Sequence, residues 1–142
     1  MIAVDTNILV YAHREELPQH RRAQARVREL AEGDARWGLP VFCLGEFVRV
    51  VTHPGVFRPA STLAEATVVL DRVLASPSLE VLSPGERYWP LLRAALAEAR
   101  AAGNLAFDAQ IVAVCRESGV RALLTEDRDF HRFADFPLEH LT

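Results

Sequence analysis

The chain has 142 residues, half of them hydrophobic, and carries a formal net charge of -3. This length and apolar content suit one hydrophobic core, and we expect a single domain over residues 1–142. All sixteen basic residues are arginine, which excludes a phosphate-binding P-loop and any Schiff-base mechanism, because both need a lysine.

The chain also lacks the signals of membrane insertion or secretion. No apolar run approaches the roughly 18 residues that span a bilayer. The N-terminus carries Asp5 where a signal peptide would be basic and then apolar. We therefore expect a soluble, cytoplasmic protein without membrane contact. Cys43 and Cys115 stand in apolar stretches without metal-ligand spacing, which favours buried reduced thiols over a disulfide.

The first half of the chain predicts strands that alternate with helices. A short buried strand at residues 2–4 runs into a helix that Asp5 or Thr6 is positioned to cap. A second helix covers LPQHRRAQARVRELAEG, with Pro18 in its first turn. RWGLP predicts a second strand, and Pro40 then opens a mostly apolar helix, PVFCLGEFVRVVTH.

The second half continues the alternation. STLAEATVVLDRVLAS predicts a helix that begins at a Ser or Thr cap, and LEVLS predicts a strand. Two further helices, GERYWPLLRAALAEARAAG and NLAFDAQIVAVCRESG, each close at a glycine. VRALLTED predicts a strand entering a loop, and FPLEHL a last edge strand.

This order of elements is typical of an α/β fold. Strands that alternate with helices predict a three-layer α/β/α sandwich with a short, mostly parallel central sheet. In such sheets the ligand site lies beyond the carboxyl ends of the strands. Asp5 and the loop at residues 125–129 would fall there.

Three acidic residues stand alone in apolar surroundings: Asp5, Glu46 and Asp108. A carboxylate buried without a partner costs several kcal/mol, so such residues are usually paired, capped or bound to a cation. Each also has a simpler interpretation. Asp5 could only cap a helix, Asp108 lies in a first helical turn, and Glu46 could pair with Arg49 one turn on.

A fourth acidic segment, LLTEDRDF, favours a metal site over those separate interpretations. Thr125, Asp127 and Asp129 crowd the end of a predicted strand. Carboxylates gathered at one end of a sheet raise each other's pKa unless a divalent cation neutralises them. Oxygen ligands without a Cys or His pair indicate a hard ion, Mg²⁺ or Mn²⁺, and such ions commonly serve phosphodiester hydrolysis.

Four segments resemble the acidic motifs of the PIN-domain family in their order and spacing: VDTNILVYA, GEFVRVVTHPGVF, GNLAFDAQIVAVC and LLTEDRDF. The stretch VRVVTHPGVF followed by TLAEATVVLDRVL is similar to a VapC subgroup, the toxins of bacterial toxin-antitoxin pairs. The resemblance implies a PIN-like fold and a ribonuclease that cleaves RNA with Mg²⁺ or Mn²⁺. It also implies a homodimer that a cognate antitoxin holds inactive.

The resemblance further implies which residues form the site. The metal-binding and catalytic acids would be Asp5, Glu46, Asp108 and Asp127. Asp129 is the alternative to Asp127 as the last acid, because TEDRDF offers both. The polar residues that orient water or ligands around the acids would be Thr6, Asn7 and Thr125.

A local basic excess offers an RNA contact despite the acidic net charge. Between residues 11 and 28 five arginines stand against two glutamates. Arginine's planar fork suits phosphate, so four of them are candidates for gripping the RNA backbone: Arg14, Arg21, Arg22 and Arg26. A solvated helix face and an antitoxin-docking surface are the alternatives for the same residues.

Two phosphotransfer folds and one non-enzymatic reading compete with the nuclease. A haloacid-dehalogenase-type phosphatase would need a second aspartate two residues after the first, where this chain has Asn7, and a receiver domain would need a lysine. The open alternative is a non-catalytic PIN-like module that binds RNA or a protein and keeps its acids only as helix caps.

Overall fold

A sheet of five short strands forms the centre of the fold in a computed structural model, which describes residues 1–142. The strands are β1 Ile2–Val4, β2 Trp37–Pro40, β3 Leu79–Leu82, β4 Ala122–Leu124 and β5 Leu138–Glu139. The helices are α1 Thr6–His13, α2 His20–Glu32, α3 Phe42–Val51, α4 Leu63–Leu74, α5 Tyr88–Ala99 and α6 Leu105–Glu117, with a 3-10 helix at Arg128–Arg132.

The strand order, β3-β2-β1-β4-β5, starts the chain in the middle of the sheet. β2 and β3 are added on one side of β1, and β4 and β5 on the other, with every pair parallel. β1 and β4 therefore flank the point at which the direction of winding reverses. Parallel sheets of this kind open a crevice there, outside the carboxyl ends of the strands.

Helices cover both faces of the sheet. Every residue of β1, β2 and β4 is buried. Because successive side chains of a strand point to opposite faces, such strands must be covered on both sides. The predicted three-layer α/β/α class is confirmed, and its mostly parallel sheet is wholly parallel. No helix is long and apolar enough to cross a membrane.

Two helices begin at capping residues that the sequence had offered as candidates. Asp5 is the N-cap of α1, where its side chain accepts a hydrogen bond from the Thr6 amide. Thr62 caps α4 in a reciprocal capping box with Glu65. The two cysteines, Cys43 and Cys115, are buried and unbonded, as expected.

Three predicted boundaries were wrong. Pro40 ends β2 instead of opening α3, because it pairs with Leu82 of β3 in the sheet. Pro18 lies two residues before α2, which begins at His20. α5 ends at Ala99 rather than at a glycine: Arg100 adopts the left-handed conformation at φ 48°, and two backbone hydrogen bonds close the helix there.

Candidate active site

Asp5 lies at the junction between β1 and α1, at the centre of the sheet edge. Its backbone N–H donates to Leu124 O at 3.0 Å, which carries the β1–β4 pairing one residue past the strand. Its Oδ1 accepts from the Thr6 N–H at 2.8 Å, and the residue is 4 % exposed. Burial raises the pKa of this carboxyl to about 7, although the hydrogen bonds from Thr125 and Thr6 oppose the rise.

Thr125, the first residue after β4, joins three parts of the site. Its hydroxyl donates to Asp5 Oδ2 at 2.7 Å. The same oxygen accepts from Asn7 Nδ2 at 3.3 Å and from the Asp127 N–H at 3.0 Å. A hydroxyl has one proton and two lone pairs, so all three are used. Thr125 is fully buried and fixes Asp5 relative to the loop that carries Asp127.

Asp127 and Asp129 lie on the loop that leads into the 3-10 helix. Asp127 is its N-cap, and Asp127 Oδ1 accepts from the Asp129 N–H at 2.9 Å. Asp108 approaches them from the first turn of α6. One carboxylate oxygen from each of these three aspartates lies within 4.8 Å of the others. The structure thus brings together residues from two separate segments of the chain.

The pKa of Asp108 reflects the closeness of these carboxylates. Its pKa is raised to about 7, mainly by burial and then by the negative charges of Asp127, Asp5, Asp129 and Glu46, in that order. Glu46, on α3, is half-buried in the same cleft. Burial raises the pKa of Glu46 as well, while the nearby Arg49 lowers it. Five carboxylates therefore share one region with little positive charge to balance them.

This donor set fits a hard divalent cation. The ligands available are all carboxylate oxygens, as Mg²⁺ and Mn²⁺ prefer. Asp108, Asp127 and Asp129 form the tight cluster, while Asp5 and Glu46 lie outside the 4.8 Å group. Asn7 Oδ1 is buried at the site without a hydrogen-bond partner, as is Thr6 Oγ1. Ordered water or a bound ion is one way to satisfy polar atoms that are buried without a protein partner.

Glu46, Asp108, Asp127 and Asp129 line a surface cleft with a volume of about 730 Å³. Its lining residues come from α3, from α6 with the residue before it, and from the 127–129 loop: Phe42, Gly45, Glu46, Arg49, Asn104, Phe107, Asp108, Gln110, Asp127 and Asp129. Sequence reasoning missed Asn104, Phe107 and Gln110. It considered Arg49 only as an ion-pair partner of Glu46, and the structure contains no such ion pair. The signal for Arg49 was its position one helical turn after Glu46, and the signal for Phe107 was an aromatic residue directly before Asp108.

The four arginines predicted to grip RNA do not line this cleft. Arg14 is 11 % exposed and is committed within the fold, where it bonds to Glu16, to Ser61 Oγ and to Pro59 O. Its guanidinium also lies 4.4 Å over the ring of Phe57. These partners take up most of the N–H groups of the guanidinium, which argues against an RNA contact of Arg14.

The other three arginines lie on α2. Arg26 pairs with Glu29 at 3.1 Å and with Glu139 at 3.3 Å. Arg21 and Arg22 are exposed and share a surface hollow with Arg26 beside β5. They remain candidates for RNA contact.

Known proteins resemble the chain throughout its length. The PIN domain family matches residues 2–136. Ribonuclease VapC43 of Mycobacterium tuberculosis is 37% identical over 140 residues, which cover 99% of this chain and 95% of the relative. Ribonuclease VapC25 of the same organism is 35% identical over 134 residues, or 94% of each chain.

Solved structures share the fold at lower identity. VapBC2 of Rickettsia felis, bound to a DNA fragment from its promoter, superposes with a TM-score of 0.70 at 20% identity over 100% of both chains. VapC20 of Mycobacterium tuberculosis, a sarcin-ricin loop cleaving toxin, superposes with a TM-score of 0.69 at 20% identity over 96% of both chains. With its parallel sheet, its acidic cleft and these relatives, the chain belongs to the PIN-domain family and, within that family, to the VapC group.

Proposed function

We propose that this chain is a metal-dependent endoribonuclease that acts as the toxin of a toxin-antitoxin pair. The observation that carries the proposal is the group of three aspartates with carboxylate oxygens within 4.8 Å of one another at the carboxyl end of the sheet. Support comes from relatives of 37% and 35% identity that are named ribonucleases.

Asp108, Asp127 and Asp129 would hold Mg²⁺ or Mn²⁺, with Asp5 and Glu46 beside them. Such an ion polarises the phosphate and lowers the pKa of a water nucleophile. Asp127 is the stronger candidate for the last acid, because its charge raises the pKa of Asp5, Glu46 and Asp108. Asp129 affects only Asp108 in this way.

The chain's own groups orient the acids and move the proton. Thr6 and Thr125 hold both oxygens of Asp5, so this carboxylate keeps one orientation. Glu46 lines the cleft and has a raised pKa, which suits it to accept a proton from the attacking water. In-line attack at phosphorus leaves a 5'-phosphate and a 3'-hydroxyl without a covalent enzyme intermediate.

Cleavage of purified RNA tests this proposal. Total bacterial RNA is incubated with the partner-free protein in Mg²⁺, Mn²⁺ or chelator, and fragment ends are mapped. Asp108→Asn should abolish cleavage. The matched control is Asp71→Asn, which removes an exposed aspartate on α4 that does not line the cleft. Metal-dependent fragments with 5'-phosphate ends, present with the control and absent with Asp108→Asn, would support the nuclease.

The same experiment also tests the alternative function, a non-catalytic module that binds RNA. A folded, partner-free protein that binds RNA and cuts none with either metal would favour the binding module. Equal cleavage by wild type and Asp108→Asn would exclude the proposed acids.

An antitoxin protein is the proposed partner, and a groove between α1, α2 and α4 is a surface on which it could dock. The groove has a volume of about 600 Å³ and half of its lining residues are hydrophobic, among them Leu9, Val27, Val69 and Val73. A partner helix could lay its apolar face there. Val73→Asp should release the bound antitoxin while leaving RNA cleavage by the freed enzyme intact.

We also propose that the protein forms a homodimer. Large apolar side chains are exposed on α4 and α5: Leu63 is 64%, Val68 46% and Trp89 60% exposed. Exposed apolar surface of this kind favours self-association. Light scattering of the purified protein would give its mass directly, and a mass of one chain would contradict the proposal.

A further inference from the structure

An exposed aromatic side chain stands next to the acidic cluster. Phe107 directly precedes Asp108 in the first turn of α6 and lines the same cleft. It is 59% exposed. A single exposed apolar residue is ordinary on a protein surface. The position of Phe107 on the cleft wall, beside the aspartate cluster, is what separates it from the other exposed apolar residues.

The charge of the cleft makes an uncharged contact valuable. Four of its lining residues are acidic, and Arg49 is the only basic one. A polyanion therefore gains little direct attraction from these side chains. Bound cations offset the repulsion, but the free energy that holds a nucleotide in place must come largely from other groups. An exposed ring supplies it, since stacking does not depend on charge.

Phe107 is free to stack, unlike the other ring on the cleft wall. Phe42 packs against Tyr88 with ring centroids 6.2 Å apart and an interplanar angle of 34°. Phe107 has no ring partner within the protein. Gln110 lies one helical turn along the same face of α6, and Asn104 stands one turn before Phe107. Their amides carry both donors and acceptors, which hydrogen bonds to a base edge require.

We infer that the cleft accepts an unpaired nucleotide beside the scissile phosphate, with its base stacked on Phe107 and its edge facing Asn104 or Gln110. This inference rests on the proposed ribonuclease function. Both faces of a base inside a duplex are covered by its neighbours, so the ring can reach a base only in a single strand, loop or bulge. Phe107 is then a specificity residue that selects single-stranded RNA at this site.

A binding measurement tests the inference separately from cleavage. The Asp108→Asn protein is titrated with a single-stranded RNA that carries the fluorescent base 2-aminopurine at successive positions. The titration is repeated with Phe107→Ala, Phe107→Leu or Phe107→Trp added. Loss of base stacking on an aromatic side chain weakens binding by roughly 5- to 150-fold. We expect that loss for Ala and Leu, near-normal binding for Trp, and a fluorescence change at one position that only the aromatic variants give.

Val56→Ala is the control, because Val56 is also an exposed apolar residue (56%) and does not line the cleft. It should bind the RNA as the parent does, and thermal unfolding checks that every variant folds. The parent is also titrated with the same RNA annealed to its complement. An affinity unchanged by Phe107→Ala, an affinity for this duplex equal to that for the single strand, or no RNA binding at all would overturn the inference. If Phe107→Ala instead dissociates a dimer, the ring serves the subunit contact and the inference also fails. If the wild-type protein cuts no RNA, the proposed ribonuclease function is wrong. The binding measurement still shows whether a base stacks on Phe107.

Discussion

The hydroxyl of Thr125 donates a 2.7 Å hydrogen bond to Oδ2 of Asp5, across 120 residues of sequence. The threonine cannot point its proton elsewhere without losing a partner, because its two lone pairs accept from Asn7 and Asp127. One buried side chain therefore fixes the N-cap aspartate of α1 and the acidic loop after β4 in a single arrangement.

Thr125→Val should damage both stability and catalysis. Valine has nearly the same shape but leaves Asp5, Asn7 and Asp127 without their shared partner. Unsatisfied buried polar groups cost about 1–3 kcal/mol, which corresponds to a fall in Tm of roughly 3 to 10 °C for a chain of this size. Thr125→Ser keeps the hydroxyl and should retain most of the activity. Equal Tm and cleavage rate for Val and wild type would contradict the role of the network.

The stability of the metal-free protein should decrease as the pH rises. The pKa values of Asp5 and Asp108 are both raised to about 7, chiefly by burial. In the unfolded chain an aspartate titrates near 4. Between about pH 4 and about pH 7 the folded state keeps protons that the unfolded state has lost, so the free energy of unfolding falls with rising pH and levels off above 7.

Thermal unfolding in chelator and in Mg²⁺ checks this pH dependence. Because a bound cation needs the ionised carboxylates, the rise in Tm caused by Mg²⁺ should increase from about pH 5.5 to about pH 8. Asp108→Asn removes one of the two titrations and should flatten the metal-free curve, whereas Asp71→Asn should not. A metal-free Tm that rises over this range would show that the two acids are not buried as described.

Asp127 and Asp129 should differ in their importance. Asp127 caps the 3-10 helix, and its charge raises the pKa of Asp5, Glu46 and Asp108. Asp129 is exposed, and its charge raises the pKa of Asp108. Asp127→Asn should weaken Mg²⁺ binding, followed by calorimetry, more strongly than Asp129→Asn. Asparagine can still cap the helix, so the comparison isolates the charge. The reverse order would make Asp129 the fourth acid.

Arg49 should contribute to RNA binding more than the arginines of α2 do. It is the only basic residue that lines the cleft, and it takes part in no ion pair. Arg49→Ala should lower affinity and reduce the dependence of log K on log salt by about 1. The double variant Arg21→Ala, Arg22→Ala tests the basic face of α2. If the salt dependence of its RNA affinity equals that of wild type, these two arginines do not contact RNA. Arg72→Ala, exposed on α4, is the control.

Arg14 should matter for stability and not for RNA. Its guanidinium contacts Ser61 and Pro59 and lies over Phe57, so it fastens the segment before α4 to α1. Loss of these partly buried contacts in Arg14→Ala should lower the free energy of unfolding by about 1–3 kcal/mol. The affinity of the folded variant for RNA should match that of wild type. Weaker RNA binding with unchanged unfolding would instead show that Arg14 contacts the RNA.

The sequence by itself determined the elements of the fold and the identity of the isolated acids. β1 over residues 2–4 was predicted, and each of the two caps was narrowed to two neighbouring residues, of which the structure uses Asp5 and Thr62. Periodicity and capping depend on residues within one or two turns, so they can be read from the sequence. An acid surrounded by apolar neighbours is equally visible in one dimension, since its burial follows from the segment around it.

Only the tertiary structure decided what those acids face. Thr125, which follows β4, contacts Asp5, which follows the neighbouring β1; Arg14 contacts the loop before α4, and Phe107 and Arg49 line the cleft. These relationships join residues that are far apart in sequence, and they depend on how helices pack over the strands. Short-range pattern carries no information on that packing, because the same helix face can meet a neighbouring element or solvent.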